Sequence, residues 1–155
     1  MTSPPNTNTT APRSLAEWLA YIEGHHPKAI AMGLDRSREV ARRMGLAAAA
    51  RRIVVVGGTN GKGSTVAFLE SIARAAGWRV GAYTSPHLLA YNERVRIDGR
   101  DAADADLVAG FEAVEAARVA PGLDPIALTY FEFGTLAALW LFARGDLDLA
   151  VLEVG

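Results

Sequence analysis

Apolar residues recur at helical spacing in five stretches of this chain, and each stretch has a recognisable start. Two starts are capping boxes, in which a hydroxyl residue and a Glu three positions later satisfy each other's backbone N–H groups, one has an aspartate that can cap the helix, and two lie near a polar residue where the apolar pattern begins. The predicted starts are Ser14 with Glu17, Asp35, Ser64, Asp104 or Asp106, and Thr129 with Glu132. Gly45 is suited to end the second helix, because glycine accepts the left-handed conformation common at helix ends, and the first and third helices are expected to end at Gly24 and Gly77.

Short apolar runs between these helices predict strands. Residues 52–57 form a β-branched run that is typical of a strand buried on both faces, and residues 79–83 and 148–154 predict two more strands. Residues 93–99 alternate polar and apolar side chains as a half-exposed strand does, and the pattern leaves open whether this strand joins the main sheet. Strand, glycine-rich loop, helix and strand follow one another from residue 52 to 83, which predicts a βαβ unit with a right-handed crossover. We therefore expect an α/β fold, with a P-loop-type, mostly parallel sheet flanked by helices.

Composition narrows the possible functions. Half of the 155 residues are apolar, which suits a folded domain, and a formal net charge of −1 gives no reason to expect nucleic acid or an anionic membrane as a partner. The absence of cysteine excludes disulfides and thiolate metal sites and is compatible with a reducing cytoplasm. No apolar stretch approaches the roughly 20 residues that span a bilayer. The polar, Pro- and Thr-rich residues 1–13 are predicted to be a flexible tail.

The segment with the clearest chemistry is the glycine-rich loop after the first predicted strand. Its glycines let consecutive backbone N–H groups face a polyphosphate, Lys62 supplies a positive charge for the β- and γ-phosphates, and Ser64 or Thr65 offers a hydroxyl to phosphate or Mg²⁺. The general P-loop pattern is not strictly met, because Val56 stands where the first glycine belongs and Gly63 follows the lysine. A glycine-rich turn with a surface lysine is the plain alternative. The predicted nucleotide-binding residues are Gly58, Thr59, Asn60, Gly61, Lys62, Gly63, Ser64 and Thr65, with Lys62 as the catalytic residue.

Two motifs carry a resemblance to a known family. Residues 59–64, Thr-Asn-Gly-Lys-Gly-Ser, resemble the nucleotide loop of the Mur ligase superfamily, in which ATP activates a carboxylate for amide formation. Cell-wall members usually carry Thr or Ser after the lysine, whereas Gly63 is similar to the folate branch, the dihydrofolate synthase/folylpolyglutamate synthases. Residues 83–99 are similar to the Ser-Pro-His-Leu loop and the following Glu-Arg strand of that branch.

The resemblance also implies a metal site and a substrate site. Ser85 corresponds to a serine that contributes to magnesium binding, and Glu153 to the acid of the family's Leu-Glu-Val-Gly motif. An acid in an apolar strand is costly to bury without a cation, although a strand-end carboxylate facing water is the plain alternative. Residues 129–133 resemble the pterin-contacting segment, where Phe131 or Phe133 can stack on the heterocycle. The residues expected to contact substrate are Ala31, Met32, Thr129, Tyr130, Phe131 and Glu132.

The implied activity is that of an ATP- and Mg²⁺-dependent ligase in folate biosynthesis, joining L-glutamate to dihydropteroate or a folate through an acyl phosphate. Residues 14–155 are expected to form the N-terminal part of an ATP-binding, Mur-ligase-like domain, without the rest of that domain or the glutamate-binding C-terminal domain. This chain alone is accordingly expected to be inactive, and the intact enzyme is expected to be a cytoplasmic monomer. The alternatives are a cell-wall Mur ligase and a nucleotide-binding fragment without turnover.

Overall fold

The architecture is a mixed sheet with helices on both of its faces, as a computed structural model describes it for residues 13–25 and 33–155. The helices within those residues are α1 Leu15–Gly24, α2 Asp35–Arg43, α3 Lys62–Ala75, α4 Asp104–Arg118 and α5 Tyr130–Arg144. The strands are β1 Arg52–Val56, β2 Val80–Tyr83, β3 Val95–Ile97, β4 Arg100–Asp101 and β5 Leu149–Glu153. A 3₁₀ turn, Tyr91–Arg94, precedes β3.

The sheet has five strands in the order β1-β5-β2-β3-β4. β5 lies between β1 and β2 and is parallel to both, with Glu153 opposite Val56 and Leu152 opposite Tyr83. The three parallel strands therefore end at one edge of the sheet, as the α/β prediction requires. β3 joins the sheet antiparallel to β2, which answers the question that its alternating pattern left open.

Each face of the sheet is covered by its own hydrophobic cluster. Helix α3 places Val66 against Val80 and Val151 on one face. Helix α5 covers the other face, where Ala138 and Phe142 are fully buried in the same cluster as Ala150 of β5. Helix α4 packs on α5, and α1 and α2 pack on these two helices, so the larger core lies on the α5 side.

Local signals located the helix starts well, with two exceptions. Both capping boxes are present, with Ser14 accepting from the N–H of Glu17 and Thr129 accepting from the N–H of Glu132. The prediction that an aspartate caps α4 is wrong, because the N-cap is Ala103 and both aspartates lie inside the first turn. Helix α3 begins at Lys62, two residues before its predicted start, because the glycine-rich loop itself forms the first turn.

The prediction that the first strand is buried on both faces is wrong. β1 is an edge strand, and Ile53 and Val55 are 48% and 59% exposed on the face turned towards α5. A continuous β-branched run indicates a strand with apolar neighbours on both faces, but among the described residues β1 has such neighbours only on the α3 side, around Val54 and Val56.

Gly81 on β2 is a position where the core tolerates no side chain. A Cβ there would lie 2.7 Å from both Leu147 Cδ1 and Phe142 Cδ1. We expect Gly81→Ala to lower the free energy of unfolding by about 1–3 kcal/mol, because overpacking forces these side chains out of their rotamers. Urea unfolding measures the change, and Gly24→Ala serves as a control, since a Cβ at Gly24 meets no atom within 4 Å. Equal stability of the two variants would contradict the expectation.

Most of the predicted N-terminal tail lies outside the described residues. Its last residue, Arg13, is described, and its guanidinium carbon lies 4.0 Å from the ring centroid of Tyr21 on α1. In the part of the chain that is described, no helix combines the length and apolar character needed to cross a membrane.

Candidate functional site

The glycine-rich loop follows the carboxyl end of β1 and leads directly into α3. Gly61 is the N-cap residue of α3 with φ 76°, a left-handed conformation in which glycine carries no steric penalty. The first N–H groups of the helix have no partner inside the helix, and its first turn contains no acidic side chain. These donors and the positive end of the helix dipole are therefore suited to bind an anion, as the sequence predicts.

Lys62 lies across the mouth of this loop. Its Nζ donates a hydrogen bond of 2.7 Å to the carbonyl oxygen of Gly58, so the ammonium group folds back over the loop. A Cβ on Gly155 would lie 3.5 Å from the same Nζ, which places the chain after β5 beside the lysine. The ammonium group is thus held where the phosphates of a nucleotide in the loop would contact it.

The two hydroxyls after the lysine differ in their availability. Thr65 Oγ1 donates to the carbonyl oxygen of Gly61 at 3.0 Å, which is a bond within the helix. The exposed Ser64 makes no such side-chain bond among the described residues. Of the two predicted hydroxyls, the structure favours Ser64 for contact with phosphate or metal.

Ser85 and Glu153, predicted as metal ligands, lie side by side although they are 68 positions apart. The N–H of Ser85 donates to Glu153 Oε2 at 3.1 Å, and Glu153 is only 7% exposed. The second carboxylate oxygen, Oε1, has no hydrogen bond within the described residues. A buried carboxylate that has one oxygen without a hydrogen bond is a suitable ligand for a hard cation.

This pair is too small to hold a metal by itself. No group of three or more His, Cys, Asp or Glu side chains is placed to hold an ion in residues 13–25 and 33–155. Mg²⁺ commonly binds through one or two carboxylates together with the phosphates of a substrate and several waters. The oxygen ligands of Ser85 and Glu153 therefore fit a cation that binds together with a nucleotide.

A cleft of about 540 Å³ connects the start of α3, at Gly63, with Ser85 and Glu153, the pair predicted to bind metal. Its walls come from the first turns of α3, from the loop after β2 and from the end of β5. The charged or hydroxyl side chains that line it are Glu70, Thr84, Ser85, Glu93, Arg96 and Glu153. Apart from Arg96 on the antiparallel β3, the lining follows the carboxyl ends of parallel strands, the edge at which ligands bind in open α/β sheets.

Sequence reasoning missed Glu93, which organises the loop after β2. Its carboxylate accepts from the N–H groups of Leu88, Leu89 and Ala90 at 2.7–2.8 Å. These three backbone hydrogen bonds, from Leu88, Ala90 and Leu89, lower the pKa of Glu93. A glutamate three residues after the start of a turn is a local signal that could have identified it.

The segment at the start of α5 that is predicted to contact substrate contains both structural and exposed residues. Both oxygens of Glu132 are engaged, one by the N–H of Thr129 at 2.8 Å and the other by Arg36 Nη2 at 2.9 Å. Burial opposes ionisation of Glu132, but the N–H of Thr129 and the guanidinium of Arg36 outweigh it and lower its pKa. Thr129 and Glu132 therefore have structural roles, and their contact with a ligand stays a prediction.

The structure distinguishes the two phenylalanines proposed to stack on a heterocycle. Phe133 is 3% exposed inside the core, whereas Phe131 is 45% exposed. The Phe131 ring borders a pocket of about 410 Å³ between α2 and α5, whose lining is largely apolar and includes Leu34, Leu136 and Leu139. Phe131 is therefore the available stacking residue. Tyr130 lies next to it, half-buried, with the Arg94 guanidinium carbon 5.8 Å from its ring centroid. Ala31 and Met32 lie outside the described residues.

Comparisons with known proteins agree on one group of relatives. No family model matches the chain. It is 50% identical over 141 residues to the dihydrofolate synthase/folylpolyglutamate synthase of Escherichia coli (strain K12), covering 91% of this chain and 32% of that protein. The solved structure of E. coli FolC in complex with DHPP and ADP superposes with a TM-score of 0.84 at 49% identity, covering 92% of this chain and 33% of that one.

A second solved structure gives the same result. The bifunctional folylpolyglutamate synthase/dihydrofolate synthase of Yersinia pestis, complexed with AMPPNP and Mn ion, has a TM-score of 0.84 at 47% identity and covers 99% of this chain and 35% of that one. The chain therefore spans about one third of the length of the relatives it matches.

Proposed function

We propose that this chain belongs to the dihydrofolate synthase/folylpolyglutamate synthase family, of whose members it spans about a third, and that it supplies the ATP-binding part of an ATP-dependent amide ligase. The proposed reaction joins L-glutamate to dihydropteroate or a folate. The observation that carries the proposal is the junction at the carboxyl edge of the sheet. There the loop of Lys62 faces the bonded pair of Ser85 and Glu153 across one cleft.

The geometry supports a division of roles. The N–H groups at the start of α3 bind the triphosphate, and Lys62 contacts the β- and γ-phosphates, where negative charge is highest. Mg²⁺, held by Ser85 and Glu153 together with the phosphates, would offset that charge when bound. The substrate carboxylate attacks the γ-phosphorus and displaces ADP. The amine of glutamate then attacks the acyl carbon, loses a proton, and releases phosphate.

The substrate end of the site lies beside α5. Phe131 presents an exposed ring next to an apolar pocket, which suits the flat face of a pterin. Ala31, Met32, Thr129, Tyr130 and Glu132 remain predicted contacts. The folate-type relatives and Gly63 favour a folate substrate over the cell-wall alternative.

The organisation of the whole protein is part of the proposal. Residues 14–155 would form the N-terminal part of the ATP-binding domain, and the glutamate-binding residues would come from the two thirds of the relatives that this chain does not span. A cytoplasmic location, a monomeric intact enzyme and the absence of a nucleic-acid partner stay predictions from composition and resemblance.

A chimeric enzyme tests the proposed function. The matching third of the E. coli relative is replaced by this chain, and phosphate release is measured with ATP, dihydropteroate and L-glutamate. We expect release only when all three are present, because the carboxylate must be phosphorylated before the amine can attack. The same chimera carrying Lys62→Met is the control and should release none.

A folded chimera that binds ATP but releases no phosphate with either dihydropteroate or a folate would contradict the ligase proposal. Nucleotide binding by the loop would survive that result. The chain alone, assayed in parallel, tests the expectation that it has no turnover by itself.

A further inference from the structure

The proposed site leaves one buried charge unexplained. Among the described residues, Glu70 and Glu153 are the two charged residues that are buried, at 6% and 7% exposure, and both line the same cleft. Glu70 lies on α3, about 12 Å along the axis from Lys62 at 1.5 Å per residue. Gly63, Ala67 and Glu70 line the cleft from one face of that helix. Burying a carboxylate there is costly unless a cation compensates for it.

Arg96 of β3 supplies that cation. Its Nη2 lies 2.9 Å and its Nε 3.2 Å from Glu70 Oε2, and the two side chains are 22% and 8% exposed. A planar guanidinium bound through two nitrogens fixes direction as well as distance, which a lysine cannot do. The pair therefore ties α3 to β3 in a defined orientation.

The rest of the Arg96 guanidinium reaches the loop that carries Ser85. Its Nη1 donates to the carbonyl oxygen of Glu93 at 3.3 Å and lies 3.5 Å from Thr84 Oγ1. Thr84 immediately precedes Ser85, whose N–H binds Glu153. One guanidinium thus contacts α3, which begins at the glycine-rich loop, and both ends of the loop that carries Ser85.

We propose that Glu70 and Arg96 are positioning residues that set the Ser85–Glu153 pair at a fixed distance from the phosphate loop. This inference rests on the proposed function, because it concerns how nucleotide phosphates and a divalent cation are held together. Neither residue needs to touch the ligand. Their effect should appear in the affinity that magnesium adds to nucleotide binding and be absent from the metal-free affinity.

The test compares ATP binding to the chain in Mg²⁺ and in EDTA, by calorimetry, for wild type and for Glu70→Gln. We expect Glu70→Gln to keep the metal-free affinity within about twofold and to reduce the magnesium-dependent gain about tenfold, as loss of a partner behind a metal ligand commonly does. Arg96→Lys keeps the positive charge but loses the planar contact through two nitrogens. It should therefore lose part of the affinity that magnesium adds to ATP binding.

The control is Glu115→Gln on α4, because Glu115 pairs with Arg118 at 2.6 Å and its side chain is partly buried, at 22% exposure, but lies away from the cleft. It should lower thermal stability and leave the magnesium gain unchanged. If Glu70→Gln and Arg96→Lys, both folded by circular dichroism, keep the full gain, the positioning role is wrong. If wild type binds ATP without any magnesium gain, the proposed metal site fails, and this inference fails with it.

Discussion

Replacing Lys62 with methionine is expected to weaken ATP binding by at least about 100-fold, or about 3 kcal/mol, as measured by calorimetry in Mg²⁺. Methionine keeps an unbranched stem and removes only the ammonium group. In the structure that group lies over the loop, 2.7 Å from the carbonyl oxygen of Gly58. The loss is large because a charge-assisted contact to the phosphates disappears while the backbone donors remain.

Arg74→Met provides the matched control for Lys62→Met. Arg74 lies in the last turn of the same helix, so the variant removes one positive charge from α3 far from the loop. It should bind ATP like wild type. An unchanged ATP affinity in a folded Lys62→Met protein would contradict the assignment of residues 58–65 as a phosphate site.

Glu153→Gln is expected to weaken nucleotide binding in Mg²⁺ at least about 100-fold. Among the described residues, Glu153 is the only buried carboxylate that is not paired with an arginine. The substitution makes it neutral, so the cation loses its charged ligand. The amide oxygen can still accept from the N–H of Ser85, so the local fold should persist. Thermal stability should stay the same or rise, since a neutral amide is cheaper to bury than a carboxylate whose Oε1 has no partner.

Mn²⁺ binding in the presence of ATP, followed by electron paramagnetic resonance, measures the Glu153→Gln effect directly. Asp148→Asn is the control, because Asp148 immediately precedes β5 at its opposite end and binds the N–H of Arg79. Asp148→Asn should leave Mn²⁺ binding unchanged. Tight Mn²⁺ binding by Glu153→Gln would show that the cation is held elsewhere.

The parts of this fold that could be predicted are those with local causes. Capping boxes located α1 and α5, because a hydroxyl and a glutamate three residues apart satisfy helix N–H groups without help from the rest of the chain. The order strand, glycine-rich loop and helix likewise predicted the phosphate loop from neighbouring residues. The start of α3 was misplaced by two residues because a glycine-rich loop and a helical first turn have the same local pattern.

The rest of the site could not be predicted from residues that are close along the chain. Ser85 and Glu153 were predicted as a pair through resemblance to a family, since nothing in their spacing brings them together. Glu70 and Arg96 were missed, because an ion pair between a helix and a strand 26 positions later leaves no periodic signal. Phe131 and Phe133 were equivalent on the sequence, and only the packing of α5 put one at the surface and the other in the core.

By itself, the sequence determined the five helices and four of the five strands within the described residues, the glycine-rich loop with Lys62, and the similarity to folate ligases, because each depends on residues that are close along the chain. Only the tertiary structure decided that β5 enters between β1 and β2, that β1 stands at an edge, and that Glu153 meets Ser85 beside the loop. Strand order follows from which apolar faces bury each other best across the whole domain, and that choice belongs to the folded chain as a unit.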